Sequence, residues 1–139
     1  MTRDYKKSQN FLRSPQIAMM LVGHTNIKKN DFTLDIGAGS GVFTHALSKK
    51  SAQVLAIEND KSAVQKLRNN TKDLANVKIF AGDFFSFDLS KLPSDYKICS
   101  NIPFHLSSPI LKRLANTKNQ PAAIYLILQK QFARKLMAN

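Results

Sequence analysis

Apolar segments that alternate with helix-forming stretches constrain the fold of this chain more than any other feature. Five such segments predict β-strands, at 32–36, 53–58, 77–81, 96–99 and 122–128. Helical spacing predicts helices at 42–49, 60–70, 106–115 and from 129 to the end, and Ser14-Pro15 predicts the start of an earlier one. Strands that alternate with helices form parallel sheets covered on both faces, with ligands at the carboxyl ends of the strands. The sequence therefore predicts an α/β domain.

Length and charge limit the class of protein. The 139 residues suit one domain, and 21 Lys and Arg against 9 Asp and Glu give a net charge of +12. Such an excess indicates an anionic partner, of which nucleic acid is the most usual, although a generally basic surface is the alternative. Residues 1–12 are predicted to form a basic N-terminal arm.

The single cysteine and the lack of long apolar runs exclude several classes. Cys99 lies in the predicted fourth strand, so no internal disulfide is possible and a reducing, cytoplasmic location is expected. No segment approaches the roughly 20 apolar residues of a membrane span. No cluster of His, Cys and carboxylate residues has metal-ligand spacing. We therefore expect neither a membrane nor a metal among the partners.

A glycine cluster follows the predicted first strand. Gly37, Gly39 and Gly41 allow a sharp turn and bring bare backbone close to a ligand. The dinucleotide-binding pattern G-x-G-x-x-G would need its third glycine at position 42, which is Val, so the pattern here is G-x-G-x-G. No Lys-Ser/Thr pair follows. This disfavours a nicotinamide oxidoreductase and excludes a P-loop, and it leaves a structural strand-to-helix turn as the alternative.

Two carboxylates stand at the ends of the next two strands. Glu58 follows Gly37 by 21 residues, the usual spacing of an acid that accepts hydrogen bonds from ribose hydroxyls. Asp83 could accept a hydrogen bond from an adenine amino group, or it could instead cap the loop that follows. Glycines and acids together describe an adenosine pocket without a phosphate-binding signature. S-adenosylmethionine fits that description better than NAD or ATP.

The segment Asn101-Ile102-Pro103-Phe104 follows the predicted fourth strand. The Asn101 amide oxygen and the Ile102 carbonyl could accept the two N–H groups of an exocyclic amine. Pro103 restricts Ile102 to an extended conformation, and the ring of Phe104 could stack on a base. These four residues are predicted to position a nucleobase amino group for methylation. The alternative is a turn with a buried aromatic ring.

Several segments together resemble the ribosomal RNA adenine N6-dimethyltransferases and occur in that family's order. They are Ser-Gln-Asn-Phe-Leu (8–12), Asp-Ile-Gly-Ala-Gly-Ser-Gly-Val-Phe-Thr (35–44), Glu58, Gly82-Asp83, residues 101–110 and residues 129–136. The resemblance implies a Rossmann-like class I S-adenosylmethionine-dependent methyltransferase domain. It also implies that Asn10, Leu12, Gly37, Glu58, Asp83 and Asn101 contact S-adenosylmethionine. Gly39 joins this set through the glycine loop, and Asn101 and Phe104 match the residues that hold the target adenine.

The resemblance leaves two branches open. The Erm type methylates 23S rRNA and confers macrolide–lincosamide–streptogramin B resistance, and segments 8–12 and 41–44 together with Phe104 favour it. The other branch modifies small-subunit 16S rRNA, and a non-catalytic RNA-binding fragment is a further alternative. Family members continue past position 139 with further strands and a helical domain, so the resemblance implies a truncated catalytic domain. Its predicted fifth strand would be a bare apolar edge through which two copies could associate.

Overall fold

The computed structural model of the protein describes residues 13–128. Its helices and strands are α1 (Pro15–Gly23), β1 (Phe32–Ile36), α2 (Val42–Ser48), β2 (Gln53–Glu58), α3 (Lys61–Thr71), β3 (Val77–Ala81), β4 (Lys97–Ile102), α4 (Phe104–Ala115) and β5 (Ala123–Leu128). Two short 3-10 turns, Phe84–Ser86 and Leu89–Lys91, connect β3 to β4. The predicted basic arm and the helix predicted from position 129 lie outside the described residues.

The five strands form one parallel sheet in the order β3-β2-β1-β4-β5. The alternation of strands and helices is thereby confirmed as an α/β fold. The chain first builds outward from β1 through β2 to β3 and then returns to the other side of β1 with β4. Such a reversal of direction opens a crevice at the carboxyl ends of the two central strands, where ligands bind in sheets of this kind.

The core fills both faces of this sheet. On one face, Leu34 and Ile98 of the central strands pack with Ile110 and Leu114 of α4. On the other face, α1 and α2 pack against the sheet, and this cluster contains Ala18, Val22, Ile27, Phe43, Ala46, Leu47, Val54 and Cys99. Cys99 is thus a small buried core residue, as predicted. Two packed faces hold the central strands rigidly, which is what a site at their ends requires.

Strand β4 differs from its predicted bounds. It begins at Lys97 instead of Tyr96 and continues to Ile102 instead of ending at Cys99. Pairing with β5 continues through Asn101 and Ile102, so both lie inside the strand instead of after it. The polar residues at its end suggested an earlier stop, but the buried Ser100 is tolerated because its hydroxyl accepts a hydrogen bond from the Ile36 N–H at 2.7 Å.

Helix α4 also starts earlier than predicted, at Phe104 instead of Leu106. Pro103 precedes it with φ −61° and ψ 143°, an extended conformation that ends the strand and leads directly into the first helical turn. The start of α1 is confirmed: Pro15 occupies the first turn and the Ser14 hydroxyl accepts a hydrogen bond from the Ile17 N–H at 3.3 Å.

Strand β5 lies at the edge of the five-stranded sheet, with Ile124 37% exposed. Self-association through β5 requires such an edge position. The association itself stays a prediction. Across residues 13–128, every helix is too short or too polar to cross a membrane.

Candidate functional site

A cleft of about 490 Å³ opens at the carboxyl ends of β1 and β4, at the point where the strand order reverses. It lies between the glycine loop after β1, the end of β4 and the first turns of α3. Its lining consists of Arg13, Asp35, Gly37, Ala38, Gly39, Ser40, Val42, Phe43, Asp60, Ser62, Ala63, Lys66 and Asn101. Of the residues predicted for the site, the structure therefore brings Gly37, Gly39 and Asn101 together.

The glycine loop turns through conformations that favour glycine. Gly37, Gly39 and Gly41 have φ values of 68°, 58° and 97°. A Cβ at Gly37 or Gly39 would meet nothing within 4 Å, whereas one at Gly41 would lie 2.8 Å from Leu67 Cδ1. The first two glycines therefore leave open space beside bare backbone for a ligand, and the third permits close packing of the loop on α3.

Glu58 holds this loop in place. Its carboxylate accepts hydrogen bonds from the N–H groups of Gly39, Asn59 and Asp60, at 2.7, 3.0 and 2.9 Å. Glu58 does not belong to the lining of the cleft. The ribose contact predicted for Glu58 stays a prediction. The structure adds a role in positioning the glycine loop, which the sequence did not indicate because Glu58 and Gly39 are 19 residues apart.

Asp83 also lies outside the cleft lining. Its carboxylate accepts a hydrogen bond of 3.0 Å from the Phe85 N–H and so starts the 3-10 turn after β3. This is the capping alternative, and the adenine contact stays a prediction. The Arg113 guanidinium donates to the carbonyl oxygens of Phe84 and Phe87 and lies 4.9 Å from the centre of the Phe84 ring, which ties this loop to α4.

Asp35 lies at the base of the cleft and was not predicted as a site residue. It is 1% exposed, and its carboxylate accepts a hydrogen bond of 2.7 Å from the Thr44 hydroxyl. Burial raises the pKa of Asp35 to about 7, the Thr44 hydrogen bond lowers it, and the nearby charge of Glu58 raises it. A carboxylate inside a mainly apolar strand was the signal that could have revealed this residue.

Asn101 carries the most informative feature of the cleft. Its Oδ1 atom is buried and has no hydrogen-bond partner among residues 13–128. Leaving a buried acceptor unsatisfied costs roughly 1–3 kcal/mol, so such atoms usually have a functional explanation. This oxygen belongs to a residue that lines the cleft, so it is placed as an acceptor for a donor on a bound molecule.

The rest of the predicted amine-binding segment continues from Asn101 along the chain. Ile102 is buried and ends β4, and Pro103 gives the backbone its extended conformation there. Phe104 starts α4 with 37% of its surface exposed, outside the lining of the cleft, and its carbonyl accepts a hydrogen bond of 2.7 Å from the Ser107 hydroxyl. The ring is thus available to a flat ligand without rearrangement of the core.

The residues present fit S-adenosylmethionine. The bare backbone at Gly37 and Gly39 leaves room for a ligand, the cleft mixes polar and apolar walls, and Asn101 offers an acceptor without a partner. Asn10 and Leu12, also predicted to contact the cofactor, lie outside the described residues. Within 13–128, no three His, Cys, Asp or Glu side chains are grouped to hold a metal ion.

Comparison with known families gives a match over residues 2–139 to the model of ribosomal RNA adenine dimethylases. A ribosomal RNA small subunit methyltransferase A from Mycoplasmopsis synoviae is 37% identical over 98% of the chain. Another, from Francisella tularensis subsp. novicida, is 32% identical over 96% of it. The chain spans about half the length of these relatives, 53% in each case.

Solved structures share the fold. A dimethyladenosine transferase from Plasmodium falciparum superimposes with a TM-score of 0.71 and 26% identity, over 91% of this chain and 46% of its own. The 23S rRNA methyltransferase ErmE gives the same TM-score at 21% identity, over 91% and 50% of the two chains, which shows the fold alone. A phosphoethanolamine N-methyltransferase from Haemonchus contortus, solved with S-adenosylhomocysteine, gives 0.69 at 24% identity over 85% and 26%.

The S-adenosylmethionine-dependent methyltransferase fold predicted from the sequence is thus confirmed, and so is the cofactor class of the family. The family match covers nearly the whole chain and agrees with the glycine loop, the topological switch point and the Asn101 segment. This protein belongs to the ribosomal RNA adenine dimethylase family.

Proposed function

We propose that this chain forms the catalytic half of an enzyme that transfers methyl groups to the N6 amino group of an adenine in ribosomal RNA. The observation that carries the proposal is the buried Asn101 Oδ1, which has no partner among the described residues and belongs to the cleft of an rRNA adenine dimethylase fold. An exocyclic amine supplies the missing N–H donor.

The chemistry follows from how the segment after Asn101 would hold that amine. S-adenosylmethionine, when bound, would supply an electrophilic methyl group and leave as S-adenosylhomocysteine once its sulfur–methyl bond has broken. The Asn101 amide oxygen and the Ile102 carbonyl accept the two N–H groups, which localises the lone pair on nitrogen and fixes its direction. No strong base is needed, because the amine attacks first and the proton then leaves to water. Positioning and electrostatics account for the rate enhancement.

Phe104 orients the base itself. Its exposed ring at the start of α4 offers a stacking surface three residues after Asn101. Stacking of a base on an aromatic side chain contributes about 1–3 kcal/mol. The glycine loop contacts the cofactor. Glu58 holds this loop in place because its carboxylate accepts a hydrogen bond from the Gly39 N–H.

Two observations favour different target RNAs. The relatives that are 32–37% identical are named small subunit methyltransferases, which favours 16S rRNA. Segments 8–12 and 41–44 together with Phe104 resemble the Erm branch, which favours 23S rRNA and macrolide resistance. We place 16S rRNA first, because the relatives' similarity extends over nearly the whole chain, and keep 23S rRNA as the second candidate.

Methyl transfer from labelled S-adenosylmethionine to protein-free 16S and 23S rRNA fragments tests the proposal. We expect incorporation into one of the two RNAs and its loss in Asn101→Ala. The matched control is Asn116→Ala, which changes an exposed asparagine. Within 13–128, its side-chain amide donates only to the Lys112 carbonyl of the helix that it follows.

Calorimetric titrations with S-adenosylmethionine and NAD separate the reaction classes. Binding of S-adenosylmethionine without methyl incorporation would support a non-catalytic RNA-binding fragment. Binding of NAD in preference to S-adenosylmethionine would overturn the proposal.

A further inference from the structure

The side of the sheet opposite the cleft, where the strands begin, carries a row of lysines. All strands of a parallel sheet begin on the same side, and here each loop that leads into a strand contributes an exposed lysine. They are Lys28 and Lys29 before β1, Lys49 before β2, Lys72 before β3, Lys91 before β4 and Lys118 before β5. We call these six residues the lysine edge.

Hydrogen bonds join the loops on the β3 side of the lysine edge. The Asn76 amide before β3 donates to the Ser48 carbonyl at 2.8 Å, and Ser48 adjoins Lys49. The Ala52 N–H before β2 donates to the Asp31 carbonyl before β1 at 2.9 Å. The three loops that carry Lys72, Lys49, Lys28 and Lys29 therefore form one connected surface.

The loops on the β5 side are joined in the same way. Lys97 at the start of β4 forms an ion pair of 2.8 Å with Asp31 before β1. The Asn119 amide, next to Lys118, donates to the carbonyls of Leu89 and Leu92, on either side of Lys91, at 2.9 and 3.0 Å. The lysines thus stand on a cross-linked rim and not on independent loops.

The charge of the lysine edge is only partly compensated. Asp31 is occupied by Lys97, and the other acidic side chains near these lysines are Asp73, Asp88 and Asp95, against six exposed lysines. The Asp88 carboxylate is further engaged by the Ser90 hydroxyl and N–H.

The cleft side of the sheet, by contrast, has no excess of basic side chains. Asp35, Glu58, Asp60 and Asp83 stand there against three basic side chains, Arg13, Lys61 and Lys66. Between these two sets of residues, the excess of positive charge therefore lies on the side away from the cleft.

We propose that the lysine edge is a docking surface for the phosphate backbone of RNA, separate from the cleft that holds the target base. The inference rests on the proposed RNA substrate. Five strands set about 4.8 Å apart extend over about 19 Å, a length that meets several phosphates at once. Lysine ammonium groups act as point charges that suit phosphate contacts without reading sequence. RNA folded around the domain could then contact both edges of the sheet.

The experiment compares two variants of equal net charge. The first replaces Lys28, Lys49, Lys72 and Lys118 with Gln, and the second replaces Lys61, Arg68, Lys78 and Lys112 with Gln, all of them exposed. Fluorescence anisotropy with a labelled rRNA stem-loop gives the affinity of the 139-residue chain from 50 to 300 mM KCl. Each lost phosphate contact reduces the slope of log K against log[salt] by about 0.7–0.9. We expect a slope reduced by about 3 in the first variant and by less than 1 in the second.

Three control measurements are needed to interpret the salt slopes: thermal unfolding, calorimetry and vesicle binding. Thermal unfolding shows that both variants are folded, and calorimetry with S-adenosylmethionine shows that their clefts are intact, so a failure of the proposed function would be seen separately. Equal salt slopes in the two variants would overturn the inference. It would also be overturned if the first variant lost binding to vesicles of anionic phospholipid while keeping its affinity for RNA.

Discussion

The hydroxyl of Thr44 in α2 donates a 2.7 Å hydrogen bond to the carboxylate of Asp35 near the end of β1, deep beneath the glycine loop. Among the described residues, this contact is the hydrogen bond that lowers the pKa of a carboxyl group whose burial raises it to about 7. Asp35 therefore changes its charge near neutral pH at the base of the cleft, which makes it a source of pH-dependent stability.

We expect the parent protein to lose stability relative to Asp35→Asn as pH rises. The folded-state pKa of about 7 exceeds the ordinary value of 3.8, so the folded state binds this proton more tightly. The stability it contributes is complete below about pH 4 and is lost as pH rises through 7, by at most about 4 kcal/mol. Urea unfolding between pH 4.5 and 8.5 measures the difference. The control is Asp73→Asn on the surface, and parallel pH profiles for parent and Asp35→Asn would contradict the prediction.

Neighbouring residues of β4 provide a matched pair for the Asn101 site. Ser100→Ala removes the acceptor of the Ile36 N–H and should lower the free energy of unfolding by about 1–3 kcal/mol. Asn101→Ala removes an acceptor without a partner among the described residues and should change it by less than about 1 kcal/mol while abolishing methyl transfer. Denaturant unfolding and methyl incorporation test both. Equal destabilisation by the two substitutions would show that Asn101 is structural.

The glycine loop offers a second matched pair. Alanine at Gly37 or at Gly41 must adopt a positive φ, at a cost of about 1–2 kcal/mol. At Gly41 the new Cβ would also lie 2.8 Å from Cδ1 of the fully buried Leu67, so overpacking should add about 1–3 kcal/mol. Gly41→Ala should therefore have the lower melting temperature. Gly37→Ala should mainly weaken the binding of S-adenosylmethionine. A lower melting temperature for Gly37→Ala than for Gly41→Ala would show that contact with Leu67 does not destabilise the protein.

Phe104 should matter for turnover more than for stability. Its ring is 37% exposed, so Phe104→Ala should change the melting temperature little while reducing kcat/KM for RNA about 10- to 100-fold through lost stacking. Phe104→Tyr keeps an aromatic face and should retain most of the activity. Leu111→Ala, at another exposed apolar position of α4, is the control. If Phe104→Ala turned over RNA like the parent, stacking on this ring would play no part.

Cys99 should be unreactive in the folded protein. It is 1% exposed in the centre of β4, and its burial, together with the charge of Asp35, raises the pKa of the thiol to about 12. Thiolate is the reactive form, so modification by a thiol reagent at pH 8 should require unfolding. Labelling followed by mass spectrometry, with and without urea, measures this. Rapid labelling of the folded chain would mean that β4 opens locally.

The sequence by itself determined the secondary structure that surrounds the site. The bounds of β1, β2 and β3 agree with the predicted 32–36, 53–58 and 77–81. Each of these strands is a short, mainly apolar run that ends at glycine or a polar residue, and this local pattern is sufficient to define a buried parallel strand. The glycine loop and the Asn101 segment were found because their residue types are informative at any position.

Only the tertiary structure decided how those segments are used. The extent of β4 depends on pairing with β5, and the engagement of Glu58 depends on the Gly39 N–H, 19 residues away in the chain. The raised pKa of Asp35 depends on the burial of its carboxyl group in the folded chain. Desolvation and long-range hydrogen bonds are properties of packed neighbours, so no local pattern encodes them. For the same reason, the hydrogen bonds that join the lysine-bearing loops into one surface became visible only in the folded sheet.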